Sequence, residues 1–305
     1  MTDLKPPAID LKRILAGAQL PALPQSAIRL LELSQDPRNG PAEFALPIEA
    51  DPGLTGQVLR FVNSSYFGFS REIASVKLAI TLVGIRTIKN FSLWSAVFSL
   101  MPNPKCGPFD LKLLWQDSLR RALFARGTAK LLGAKDPEDA FAGALLQDMA
   151  VPLLAKEASQ LYARLIQARD GGKVRLSDLE QRVLGWTHAE AAGMMARQWN
   201  LPDAFAVLVE RHHEAGQFAA DPKTDPAKLS VALSALLPAA ADGEWHECGQ
   251  LDTLYQQVAP QGTAQLLEVL RYVDEQFGEF APVLKLSEPA DSLVECFERT
   301  MAPAG

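Results

Sequence analysis

Cysteine is scarce in this chain. Of 305 residues only Cys106, Cys248 and Cys296 are cysteines, far apart and odd in number. They form no CxxC pair, which excludes a disulfide framework and a zinc ribbon. Long apolar runs are also missing, so no stretch reaches membrane-spanning length. The opening MTDLKPPAID has no apolar core of the kind a secretory signal requires. A cytoplasmic chain with no membrane partner is expected. No strand-like alternation of useful length appears in the N-terminal half. GxSxG, the P-loop and a cysteine with an evident histidine partner are all lacking, which removes the commonest hydrolase and NTPase signatures. A net charge of −6 argues against a nucleic-acid surface.

What remains is helical and well supplied with core. Hydrophobic residues make up 48 % and charged residues 22 %, ordinary values for a soluble globular fold. Ile9 to Leu20 reads as a short helix, followed by the stiff Leu20-Pro-Ala-Leu-Pro24 turn. Gln25 to Ser34 is the next helix, stopped by Asp36-Pro37 and Asn39-Gly40-Pro41. Pro41 to Ala50 is helical too, with Pro47 expected to bend or shorten it. Asp51-Pro52 opens another helix as cap and first residue. It ends in Asn63-Ser64-Ser65-Tyr66-Phe67-Gly68, a loop with small polar and aromatic residues that is a candidate partner or ligand site. Ser75 to Leu82 and Ile85 to Leu100 are helices hinged at Gly84.

The most telling stretch is FAGALLQDMA, Phe141 to Ala150. Phe141, Leu145 and Met149 make one apolar helical face. Gln147 and Asp148 are set among them, and a carboxylate in an apolar helix is costly to bury alone. By itself Asp148 reads as a cap or as the partner of an arginine. The helix is expected to run on through Val151 to Leu154.

The segment resembles the FxxGLLHD stretch of the HD metal-dependent phosphohydrolases. LPALP, DPGLTGQVLRFVNSSYFG and SVKLAITLVGIRTIKNF then resemble the N-terminal half of the HDOD family of bacterial signalling proteins. The resemblance runs from about Leu20 to Glu214. It implies an all-α, multi-helix HD-like bundle with an N-terminal helical subdomain and added C-terminal helices. Residues 1–19 are then an extension and 20–216 an HDOD-like domain, split into 20–100 and a degenerate HD-like part at 109–216. Residues 217–305 are a linker, exposed over Ala219 to Ala227, and helices that pack on the bundle.

The same resemblance carries a ligand count. HD enzymes hold metal with His, His, Asp and Asp. At those positions this chain has Asp117 (in LWQDS), Gln147, Asp148 and Ala235, so one of four matches. An amide is a poor ligand for a transition metal. Asp117 could take a hard cation, but Arg120 and Arg121 lie nearby on the same helix, and their pairing with Asp117 or Asp148 is the favoured reading. The GWTHAE element places Thr187 as a cap with Glu190 completing a capping box, which makes His188 a capping or packing residue. His212 and His213 are adjacent in the HHE element. On a helix they would point about 100° apart, so only one is expected to face the cleft.

The expected function is a non-catalytic regulatory protein that binds a signalling protein or a small signal molecule, with no cofactor. The alternative is a residual metal-dependent phosphohydrolase or phosphodiesterase acting on a nucleotide or cyclic dinucleotide, with Asp117, Asp148, His188 and His212 or His213 as improvised ligands. In the tail, Leu229 to Ala240, Leu251 to Val258, Ala264 to Phe277 and Asp291 to Met301 read as helices. The stripe Leu266, Leu267, Leu270 and Val273 fits packing on the bundle, and a homodimer is the other use for it.

Overall fold

Prolines, caps and small residues set the helix boundaries. The computed structural model describes residues 10–17 and 20–302. Among these the chain forms α-helices and short 3-10 turns, with no strand. The N-terminal helices are α1 (Leu11–Gly17), α2 (Gln25–Leu33), α3 (Pro41–Glu49), α4 (Pro52–Val62), α5 (Val76–Val83) and α6 (Ile85–Leu100). Ile9, expected in the first helix, lies outside the described residues. Asp51 caps α4 by accepting from the Leu54 N–H, and Ser75 caps α5 through the Leu78 N–H. Gly84 (φ 100°) separates α5 from α6, a backbone angle that glycine reaches without steric penalty.

Helix α3 continues past Pro47 and ends at Glu49, one residue short of the expected Ala50. The missing N–H frees only the carbonyl of Glu43, an exposed first-turn residue whose carbonyl water can satisfy.

The second half holds α7 (Leu111–Leu131), α8 (Pro137–Leu146), α9 (Val151–Glu157), α10 (Ser159–Gln167), α11 (Leu176–Leu184), α12 (His188–Gln198) and α13 (Asp203–Glu210). After these come α14 (Ala215–Ala220), α15 (Pro226–Ser234), α16 (Cys248–Val258), α17 (Leu266–Phe280) and α18 (Leu293–Met301). Helix α7 is the axis of the fold. Trp115, Leu119, Ala122, Leu123, Phe124, Ala125 and Ala129 are all buried on it. Helices α8, α15 and α17 pack around it. On α8, Gly143 permits close approach: a Cβ there would lie 3.1 Å from Leu208 and 3.2 Å from Val231. Phe61 stacks on Phe91 at 4.0 Å and meets Phe280 at 5.1 Å, so the N-terminal helices and α17 share one aromatic cluster. The three cysteines are buried and free. No helix among the described residues is long and apolar enough to cross a membrane.

The FAGALLQDMA segment is not one helix. Helix α8 stops at Leu146, residues 147–150 form a turn, and α9 begins at Val151. Pro152 supplies the reason. It has no N–H to donate to the Asp148 carbonyl, so the helical ladder is interrupted there. The turn is closed instead by Met149 N–H to the Leu146 carbonyl and Val151 N–H to the Asp148 carbonyl, each 3.0 Å. Tail boundaries also shift. Helix α15 spans Pro226–Ser234 rather than Leu229 to Ala240, α16 opens at Cys248 rather than Leu251, α17 spans Leu266–Phe280 rather than Ala264 to Phe277, and α18 opens at Leu293 rather than Asp291. Ala219 and Ala220 belong to α14, which leaves a shorter exposed connection before Pro226.

Candidate functional site

Asp148 is buried at the α8–α9 turn and draws three groups to itself. Arg121 from α7 forms an ion pair with its Oδ2. His188 Nε2 lies 3.1 Å from its Oδ1, and His212 Nε2 lies 3.7 Å from the same oxygen. His213 Nε2 lies 3.1 Å from His188 Nε2. Two ring nitrogens at that distance share one proton, one donating and the other accepting. Burial opposes the charge on Asp148, but Arg121, His188 and His212 outweigh it and hold the carboxyl well below the usual carboxylate range.

His188 occupies the first turn of α12, behind the Thr187–Glu190 capping box. It is more than a packing residue. Its Nδ1 sits 2.6 Å from Glu180 Oε2, and the same oxygen accepts its backbone N–H at 2.8 Å. The other Glu180 oxygen accepts from the Tyr162 hydroxyl at 2.8 Å. Burial disfavours the imidazolium, yet Glu180 and Asp148 prevail and push the pKa of His188 up to about 9. Glu180 was not anticipated as a site residue. Its signal was available: Leu176, Glu180 and Leu184 fall on one stripe of α11, which puts an acid where an apolar residue belongs.

His212 and His213 both face the cluster, contrary to the expectation that only one could. The assumption of helical spacing fails because α13 ends at Glu210, and residues 211–213 form an irregular turn. The two rings lie 3.9 Å apart by centroid. His212 Nδ1 is 2.6 Å from the Val209 carbonyl, and its Nε2 is buried without a hydrogen-bond partner. Arg175 reaches His213 Nδ1 at 3.1 Å. Burial, together with the neighbouring imidazoles, keeps both rings neutral, with His212 lowered to about 3 and His213 well below its ordinary value.

The remaining HD-type positions are committed elsewhere. Asp117 Oδ1 accepts the Ala240 N–H at 2.6 Å. Arg121 pairs with Asp148, as expected, whereas Arg120 donates to the Asp291 carbonyl and pairs with neither acid. Gln147 is fully buried, with its Oε1 facing the Ser234 hydroxyl at 3.4 Å. Ala235 offers only a backbone carbonyl, which accepts from Arg175 at 3.3 Å. This set does not fit the metal that the HD resemblance implies: one position is an amide, one is a methyl, and the surviving carboxylate is neutralised by a guanidinium. The histidines form a different group. Ligand atoms of His188, His212 and His213 all lie within 4.8 Å of one another, a spacing that could hold a transition metal.

The Asn63–Phe67 loop is elsewhere. None of its residues lines the cavity beside the histidines. The Asn63 side chain binds the carbonyls of Leu59 and Ile73 and accepts the Ile73 N–H, which pins the loop at both ends. The Ser64 hydroxyl donates to the Phe61 carbonyl, and Ser65 is exposed. Tyr66 and Phe67 pack on Phe280 and Phe61 at 4.8 and 4.9 Å.

The profile of the HDOD domain matches residues 20–215. A Treponema pallidum (strain Nichols) protein, described only as uncharacterized, is 22 % identical over 226 residues, 74 % of this chain and 43 % of that protein. The chain thus spans less than half the length of this relative. A provisionally named phosphohydrolase from Shewanella amazonensis SB2B aligns with a TM-score of 0.68 at 19 % identity, over 89 % of this chain and 97 % of the other. An HDOD domain protein of unknown function from Geobacter sulfurreducens gives 0.63 at 19 % identity, over 95 % and 91 %. A provisionally named signal transduction protein from Marinobacter aquaeolei VT8 gives 0.68 at 18 % identity, over 93 % and 66 %. At these identities the structural likeness is one of fold.

Proposed function

The chain belongs to the HDOD domain family, and from that premise we propose that it is a non-catalytic regulatory module of bacterial signal transduction. It acts by binding a protein partner or a small ligand on a degenerate HD-type helical scaffold. One observation carries this reading: Asp148, the surviving HD-type carboxylate, is already neutralised by Arg121 inside the fold. A cleft that supplies its own cation gives an incoming metal little electrostatic reason to bind there. A resemblance in fold to a provisionally named signal transduction protein is consistent with it. The test is turnover. Purified protein is incubated with bis(p-nitrophenyl) phosphate, cyclic dinucleotides and nucleoside monophosphates, with manganese, ferrous iron or zinc present. No product above the buffer rate is expected. Hydrolysis that disappears in Asp148→Ala would overturn the reading.

A second reading is favoured by the histidine cluster. His188, His212 and His213 present three imidazoles to one point, and a residual phosphohydrolase would use them as metal ligands. A bound divalent metal would supply Lewis acidity toward a phosphoester. On this reading Glu180 orients the His188 ring from behind, as outer-shell carboxylates do. Metal-dependent turnover lost on His188→Gln and on His213→Gln would support it.

A further inference from the structure

Away from the histidines, a cavity of about 440 Å³ lies between the N-terminal helices and the HD-like half. It shares no lining residue with the cavity beside the histidines. Its volume falls in the range that holds small organic molecules. Leu31 of α2, Phe44 of α3, Leu93 of α6 and Phe205 of α13 give it apolar walls. Four charged residues also line it: Asp36, Arg86, Lys89 and Asp139. Three of them are already paired. Asp36 holds Arg38 at 2.7 Å, and Arg86 holds Asp139 at 2.9 Å and Asp136 besides.

Lys89 is the exception. It is half-buried on α6, and its Nζ takes part in no hydrogen bond or ion pair among the described residues. Nor is this Nζ one of the unpartnered atoms shut off from solvent. It is an accessible amine on a wall residue of an apolar cavity. Burial is the largest influence on it and lowers its pKa. Arg86 acts in the same direction, while Asp139 and Asp136 oppose. A lysine desolvated in an apolar pocket, with another cation close by, holds more of its neutral and nucleophilic form than a lysine in water.

We propose that Lys89 is a covalent binding site for an apolar aldehyde, captured as an imine inside this cavity. Nζ enters as the neutral amine and attacks the carbonyl carbon. A C–N bond forms, and the carbonyl oxygen leaves as water with both amine hydrogens. The resulting C=N bond needs no oxidant, reductant or metal. The apolar walls take the hydrocarbon part of the aldehyde, which an exposed lysine such as Lys112 or Lys130 cannot do. The site goes beyond the binding role proposed above and stands whether or not the histidine cleft hydrolyses phosphoesters.

Reductive trapping tests this on the full chain. The protein is incubated near neutral pH with hexanal or with glyoxylate, each with sodium cyanoborohydride, and the reduced adducts are located by peptide mass spectrometry. Hexanal is expected to label Lys89 at least tenfold faster than Lys112 or Lys130, and glyoxylate is expected to show no such preference. The comparison is internal to the unmodified chain, so it does not depend on how a variant folds. In Phe205→Asp, which puts a charge on the wall, labelling of Lys89 by hexanal should fall toward that of the exposed lysines. Labelling of Lys89 no faster than of Lys112 and Lys130 would overturn the proposal. So would an equal preference for Lys89 with glyoxylate, or labelling undiminished in Phe205→Asp.

Discussion

Asp117 titrates inside the fold. Burial raises its pKa to about 6, against the pull of Arg121 and of the Ala240 N–H. A carboxyl raised on folding contributes stability that is complete below its unfolded value of 3.8 and is lost as the pH rises through about 6. Asp117→Asn removes the charge and keeps an oxygen for the Ala240 N–H. At pH 8 the variant should be more stable than the parent by about 1–3 kcal/mol, and at pH 4 it should hold no advantage. Urea titrations at the two pH values check this, and equal stability at pH 8 would count against it. The Arg121–Asp148 pair behaves oppositely, since both groups are shielded and each needs the other. Arg121→Gln should lose about 3 kcal/mol by leaving a buried carboxylate short of its cation. The double variant Arg121→Gln/Asp148→Asn should regain most of that loss. A double variant as unstable as the single one would show that the pair is not the source.

At the scale of elements, α8 is held by how closely its neighbours approach. Gly143→Val places two methyl groups and a Cβ where Leu208 and Val231 already stand within 3.2 Å. A cost of about 1–3 kcal/mol is expected from overpacking, read as a lower thermal midpoint with the helical signal intact. An unchanged midpoint would mean that α13 and α15 yield freely. The elements legible in the sequence were those with local signals. Asp51, Ser75 and the Thr187–Glu190 box start helices where their side chains satisfy the first free N–H groups. Failures arose where a local rule met a competing one. Pro152 breaks the segment that Phe141, Leu145 and Met149 make look continuous. The early end of α13 turns His212 and His213 inward together. Arg169 and Arg175 lie in loop residues flanking helices, and only the folded chain sets them beside Arg121. No spacing in the sequence reports that meeting.

At the scale of the whole molecule, α7 joins the cleft to the tail. Gln116 donates to the carbonyl and the hydroxyl of Ser287, at 2.7 and 2.9 Å, and Arg120 donates to the Asp291 carbonyl. Removing residues 286–305 would take these acceptors from Gln116 and Arg120 and uncover the apolar surface that Leu293 and Cys296 bury. A loss of about 2–4 kcal/mol is expected, visible as a lower melting point, and a truncated chain as stable as the full one would contradict the role given to the tail. The cleft itself is internally neutralised, with cations drawn from the protein. Metal content per chain tests that most directly. Tag-free protein is exposed to manganese, iron and zinc, dialysed, and measured by mass spectrometry. The account predicts near-zero metal. One or two metals per chain, lost on Asp148→Ala, would contradict it.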